Sequence, residues 1–192
     1  MSGDYIRLTN GNKFFFHDLE KSDICIQNIA KPLAKLCRFN GQTPGWNHYS
    51  IAEHAINVSK LVPKKYRFCA LMHDAAEAFL GDVTTPLKRN LPQYKTIEMK
   101  WDDFIAQSYG YQYPFPPEVK KADYEMCVLE YHTFFKDVWK FNPEVDTDLI
   151  CTSTPINPAL IKFEYWPPRL AYEAFMERYI ELGGKLEYIW LN

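Results

Sequence analysis

Through most of this 192-residue chain the apolar side chains recur three and four positions apart, and that spacing admits little except helices. Ile26, Ile29, Leu33 and Leu36 share one helical face, and Ile51, Ala55, Val58 and Leu61 share another. The runs carry their own punctuation. Ser50-Ile51-Ala52-Glu53 has the form of a capping box, with Ser50 at the N-cap and Glu53 reaching back from the first turn. The helix it opens should end before Pro63. A second helix is predicted from about 65 to 80, stopped by Gly81 in a left-handed conformation. A Pro-containing turn over 83–92 precedes helices near 93–108 and 117–139, which the Gly/Tyr/Pro-rich 110–117 separates. Pro167-Pro168 then opens a last amphipathic helix with Leu170, Ala174, Phe175 and Tyr179, ending before Gly183-Gly184. Pro32 lacks an N–H, so it either kinks the first helix or shifts its start. Ile24 and Ile26, alternating with Asp23 and Cys25, predict a short extended piece ahead of it. The stretches 38–49 and 141–167 read as irregular. The expectation is an all-α fold: a single domain over 1–192, a helical bundle with a short irregular or extended N-terminal segment.

Composition narrows the function. Apolar residues make up 47% of the chain and aromatics 16%, enough for a real core and too many for a disordered protein. The net charge is −2, which argues against a dedicated duplex-binding surface while leaving room for a local anion pocket. The start lacks the basic and apolar regions of a secretory signal, and no apolar run approaches the ~20 residues that span a bilayer. The five cysteines are widely spaced with no CxxC, so they read as buried thiols in a soluble cytoplasmic protein.

The chemistry concentrates in MHDAAEAFLGD, 72–82. On a helix His73 and Asp74 diverge by about 100°, yet both can converge on an ion between them, and Glu77 lies one turn further on. Three acidic groups beside Ala75, Ala76 and Leu80 repel one another unless a divalent cation offsets them. His54, near the start of a neighbouring helix, and Asp123, on a later one, complete a set of two imidazoles and two carboxylates. That set suits Mn, Fe, Co, Ni or Zn better than Ca or Mg, and without cysteine ligands it is of the catalytic kind.

The spacing His54, His73-Asp74, Asp123 resembles the HD-domain superfamily of metal-dependent phosphohydrolases. HDAAEAFLGDVTTPLK (73–88) is similar to the corresponding segment of bacterial 5′-deoxynucleotidases, and CRFNGQT with YSIAEH is similar to small phage and bacterial HD hydrolases. WPPRLAYEAFMERYIEL is similar to their last helix. The resemblance implies one divalent transition metal ion held by His54, His73, Asp74 and Asp123. It implies Glu77 acting on the attacking water, Asp82 as a second acid near the scissile phosphate, and Arg38 on the phosphate. Phe39 stands where the deoxynucleotidases carry Trp beside the sugar, and Trp46 or His48 would substitute in substrate contact. Lys88 adds positive charge at the phosphate. The implied activity is a nucleotide phosphohydrolase, first a (deoxy)nucleoside 5′-monophosphatase, with a dNTP triphosphohydrolase as the alternative and a non-catalytic nucleotide-binding module outside the enzyme class. A homodimer, contacting through the last helix or 141–167, is the implied assembly.

Each residue also has a bland reading. Arg38 would cap its helix, Lys88 would be solvated, Phe39 and Trp46 would be core aromatics, and Glu53 would complete its capping box. His17 and His132 are not ligands on this reading.

Overall fold

The computed structural model describes residues 4–22, 24–135 and 161–186. Apart from one hairpin they form an all-α fold. The helices are α1 (Ile26–Lys35), α2 (Ile51–Leu61), α3 (Arg67–Leu71), α4 (Glu77–Leu80), α5 (Thr85–Lys88), α6 (Pro92–Tyr109), α7 (Pro117–Phe134) and α8 (Pro168–Glu181). No helix among the described residues is long and apolar enough to cross a membrane. Most of the 141–167 stretch, and the 136–139 end predicted for the seventh helix, lie outside the described residues.

Helix α2 sits at the centre, packed against α1, α3, α7 and α8. Every residue from Ile51 to Ser59 is buried, so α2 is enclosed on all sides rather than amphipathic. Its polar side chains must therefore find partners inside the protein. Ser59 accepts from Arg178 Nε of α8 at 3.0 Å. Glu53 accepts backbone N–H bonds from Glu164, Tyr165 and Trp166 at 2.6, 3.2 and 3.2 Å. Half of the predicted capping box forms: Ser50 Oγ accepts from Glu53 N–H at 3.1 Å. The Glu53 carboxylate does not reach back; it fastens the strap that leads into α8.

The extended N-terminal piece lies earlier than expected. Strand β1 (Tyr5–Arg7) pairs antiparallel with β2 (Lys13–Phe15), while Ile26 already begins α1. The hairpin delivers Phe14 into the core, where it stacks on Phe79 at 4.4 Å and meets Trp101 at 4.1 Å. Trp101 is fully buried and donates from Nε1 to the Phe16 carbonyl at 3.1 Å. Pro32 lies inside α1 rather than at its start, so the bond its N–H would give to the Asn28 carbonyl is missing.

The helix predicted over 65–80 is interrupted. A 3₁₀ turn over Lys64–Tyr66 leads into α3, a series of turns covers 72–76, and α4 starts at Glu77. Apolar spacing continues through the turns because Met72, Ala75 and Ala76 stay buried, so periodicity alone does not reveal the break. Gly81 ends α4 at φ 81° and ψ 156°, a conformation open to glycine though outside the left-handed helical region.

Phe14 links the hairpin to α4 and α6, so Phe14→Ala should cost about 3–5 kcal/mol, read as a lower urea midpoint with unchanged slope.

Candidate functional site

The turns at 72–76 bring His73 and Asp74 alongside His54 and Asp123. His54 comes from α2, His73 and Asp74 from the turns before α4, and Asp123 from α7. His54 Nε2 lies 3.0 Å from Asp123 Oδ1 and 3.7 Å from Asp74 Oδ2. His73 Nε2 lies 3.3 Å from Asp74 Oδ1 and 3.5 Å from Asp123 Oδ1. Donor atoms of His54, His73 and Asp123 all fall within 4.8 Å of one another. Ligands held at about 2.1 Å by one first-row ion stand roughly 3–3.5 Å apart, so this spacing is close to what such an ion requires.

The far side of each imidazole is committed. His54 Nδ1 donates to Glu130 Oε1 at 2.5 Å, and His73 Nδ1 donates to the Ala70 carbonyl at 2.8 Å. A neutral ring donating from Nδ1 has only a lone pair at Nε2. A carboxylate oxygen 3.0 Å from that lone pair is repelled unless a proton or a metal cation sits between them. The ionisation of the centre shows the same demand for positive charge. Burial opposes charge on His73, yet the charges of Asp74 and Asp123 carry its pKa up to about 9. Burial and Arg38 oppose charge on His54, while Glu130 and Asp123 raise it overall. Burial would raise Asp123, but the hydrogen bond from His54 and the charge of both histidines hold it well below the usual carboxylate range.

Four buried polar atoms here have no hydrogen-bond partner among the described residues: Arg38 Nε, His73 Nε2, Asp74 Oδ2 and Glu77 Oε2. Buried polar atoms are rarely left so, and a cluster of them marks a place made for something else. Two imidazole nitrogens and two carboxylates are the donor set for a divalent transition metal, and these residues fit one.

Glu130, which the sequence reading missed, organises the second layer. It is fully buried on α7, two turns after Asp123 and so on the same face. Besides His54 it accepts from Tyr49 O–H at 2.7 Å, and its Oε2 lies 3.3 Å from Arg38 Nη2. Burial raises its pKa, but His54 and Arg38 outweigh that and keep it ionised below its ordinary value. Arg38 Nη1 lies 3.9 Å from Asp74 Oδ2, so the guanidinium bridges the second layer and the centre. A short pairing holds Arg38 there: its N–H donates to the Tyr49 carbonyl at 2.9 Å, and Ile51 N–H donates to the Leu36 carbonyl at 3.1 Å. The chain then turns through Phe39, Asn40 and Gly41 at φ 55°, 51° and 73°. Left-handed backbone at the two non-glycine residues costs about 1 kcal/mol or more each.

Beside the centre opens a cleft of about 170 Å³, lined by His73, Asp74, Glu77 and Asp123 together with Lys88 of α5, Glu98 and Asp102 of α6, Phe115, and Lys120 of α7. Glu77, only 7% exposed, begins α4 with its Oε1 3.9 Å from Lys88 Nζ. Burial first, then the charges of Asp74 and Asp82, push its pKa well above the usual range. Lys88 Nζ is held 2.6 Å from Glu98 Oε1. Asp82 lies just past Gly81, half-buried and outside the cleft wall.

Three expected substrate contacts lie elsewhere. The Phe39 ring packs edge-on against Tyr131, Phe134 and Phe135 at 5.0–6.2 Å. Trp46 is 103% exposed. His48 uses both ring nitrogens locally, with Nε2 2.9 Å from the Ala34 carbonyl and Nδ1 3.1 Å from Cys37 Sγ. Phe115 is the aromatic residue on the cleft wall, within the Pro-rich 110–117 that the sequence marked only as a break between helices.

No protein-family model matches the chain. Over 181 residues it is 38% identical to the uncharacterized protein YfdR of Escherichia coli, covering 93% of this chain and 96% of the relative. The chain belongs to the YfdR family. Another relative, RCAP_rcc00048 of Rhodobacter capsulatus, is 33% identical over 124 residues, 60% of this chain and 63% of that one. Neither relative's name states an activity, so function in this YfdR-family chain has to be read from the centre itself.

Glu130→Gln keeps the size of the side chain but removes the charge that orients His54. It should weaken divalent-metal affinity by about 10- to 100-fold in a competitive chelator titration.

Proposed function

We propose that this protein is an HD-type, divalent-metal-dependent phosphohydrolase that cleaves nucleoside 5′-monophosphates, deoxynucleotides included. One observation carries the reading: donor atoms of His54, His73 and Asp123 gather within 4.8 Å of one another beside a cleft, with the Asp74 carboxylate 3.3 Å from His73 and 3.7 Å from His54. The similarity of 73–88 to the deoxynucleotidase segment supports the substrate class.

His54, His73, Asp74 and Asp123 would hold the ion. When bound, a transition metal supplies Lewis acidity and a water acidic enough to attack near neutral pH. The protein's own groups do the rest. Glu77, buried and with one oxygen unpartnered, holds the attacking water on the cleft side and takes its proton. Lys88 on the cleft wall sets positive charge near the phosphoryl oxygens, where negative charge gathers as the bond to the leaving oxygen breaks, and Arg38, off the wall and 3.9 Å from Asp74, adds to it from behind. The Lys88–Glu98 pair keeps that lysine from swinging into solvent. The oxygen of water joins phosphorus, the bond from phosphorus to the sugar oxygen breaks, and nucleoside and phosphate result.

Purified protein with Mn or Co should release phosphate from a nucleoside 5′-monophosphate. Triphosphate appearing from dATP, with monophosphates untouched, would instead establish the triphosphohydrolase. Asp74→Ala should abolish both metal content and turnover. Glu77→Ala should retain metal and lose about 10²–10⁴-fold in kcat, as removal of a general base does; unchanged turnover would take Glu77 out of the mechanism.

A further inference from the structure

We propose that Asp102 is a further catalytic residue, the general acid that protonates the departing sugar oxygen. This assignment rests on the phosphohydrolase reading and supplies the proton that reading leaves unassigned.

Breaking the bond between phosphorus and a sugar oxygen releases an alkoxide, too basic to leave at neutral pH without a proton. The donor must line the cleft and must not be committed elsewhere. Asp82, expected from the sequence to serve near the scissile phosphate, lies off the cleft wall, and although burial and Asp74 favour its protonated form, the charges of Arg38, Lys88 and His54 all oppose it. Asp74, Asp123 and His73 belong to the metal centre, and Glu77 works on the water. Glu98 is committed to Lys88, whose ammonium lies 2.6 Å from its carboxylate. Lys88 is held protonated by that same pair: burial opposes its charge, but Glu98, Glu77 and Asp74 raise its pKa overall.

Asp102 remains. It stands on α6 one turn beyond Glu98, on the same face, half-buried on the cleft wall. Its carboxyl makes no hydrogen bond or ion pair with another described residue. Its surroundings favour the protonated form. Burial first, then the charges of Glu98 on its own helix and Asp74 from the turn, bring its pKa up to about 7, against the opposing pull of His73 and of Lys88 from α5. Tyr94 on the same helix and Tyr111 and Tyr113 in the loop after it also feel its charge. A carboxyl with a pKa near 7 is half protonated at the working pH, which is where a general acid is most effective.

The proton balance closes. The attacking water gives one proton to Glu77, the P–O bond breaks with its electron pair on the sugar oxygen, and Asp102 gives that oxygen its proton. Proton exchange with solvent then resets both carboxyls.

The leaving group provides the test. A nucleoside monophosphate needs the proton; p-nitrophenyl phosphate departs as a stabilised phenolate and does not. Asp102→Asn should lower kcat on the nucleotide by about 10²-fold or more while changing turnover of p-nitrophenyl phosphate less than about 5-fold. In the parent protein, nucleotide turnover should fall as pH rises through about 7, because the acid must be protonated, and the variant should lose that limb. Asp102→Glu should restore part of the nucleotide rate. Equal losses on both substrates, or no loss on either, would overturn the assignment of Asp102. Parent protein that hydrolyses neither substrate with metal present would overturn the phosphohydrolase reading, and this proposal with it.

Discussion

A helix buried on every side yet carrying Glu53, His54 and Ser59 is the constraint on which the rest of this structure depends. Polar groups taken from water in the middle of a bundle must be met by partners, and the partners of α2 come from far along the chain. Glu53 draws the 164–166 strap onto the helix, Ser59 draws Arg178 of α8, and His54 draws Glu130 and Asp123 of α7. The same contacts that make α2 acceptable in the interior bring distant segments into register. The arrangement is demanding, because removing one partner of a buried charged pair typically costs about 3–5 kcal/mol.

Charge is arranged in layers around His54. Outermost, Tyr49 and Arg38 converge on Glu130; Glu130 then fixes the ring of His54, whose other nitrogen faces Asp74 and Asp123. Each layer decides the orientation of the next, so a centre of flexible side chains becomes a fixed set of donors. The strained turn at Phe39 and Asn40 belongs to the same scheme. It lets Arg38 point inward while the Phe39 ring packs on the aromatic end of α7.

Much of this was legible in the sequence. Spacings of three and four gave the helices, and proline and glycine marked most of their ends. His54, His73, Asp74 and Asp123 could be picked out because imidazoles and carboxylates on otherwise apolar helical faces need a reason to be there. What escaped was tertiary in origin. The break at 72–76 is hidden because its turns keep the apolar pattern of a helix. Glu130 gave no local signal beyond lying two turns from Asp123, and its importance comes from Arg38, Tyr49 and His54, which are 92, 81 and 76 residues away in sequence. Glu53 satisfied a local motif so well that its long-range role was masked. Phe39 and His48 lie next to residues of the centre in sequence, yet their rings are used to hold the loop that carries Arg38.

The proposed function requires four side chains from three parts of the chain to hold one divalent ion. X-ray absorption on protein loaded with cobalt or manganese, together with metal counting per chain, addresses this directly. The expected result is one bound ion, surrounded by nitrogen and oxygen donors with the scattering signature of two imidazoles and no sulfur. Protein that retains no ion, or an ion bound without those imidazoles, would contradict it.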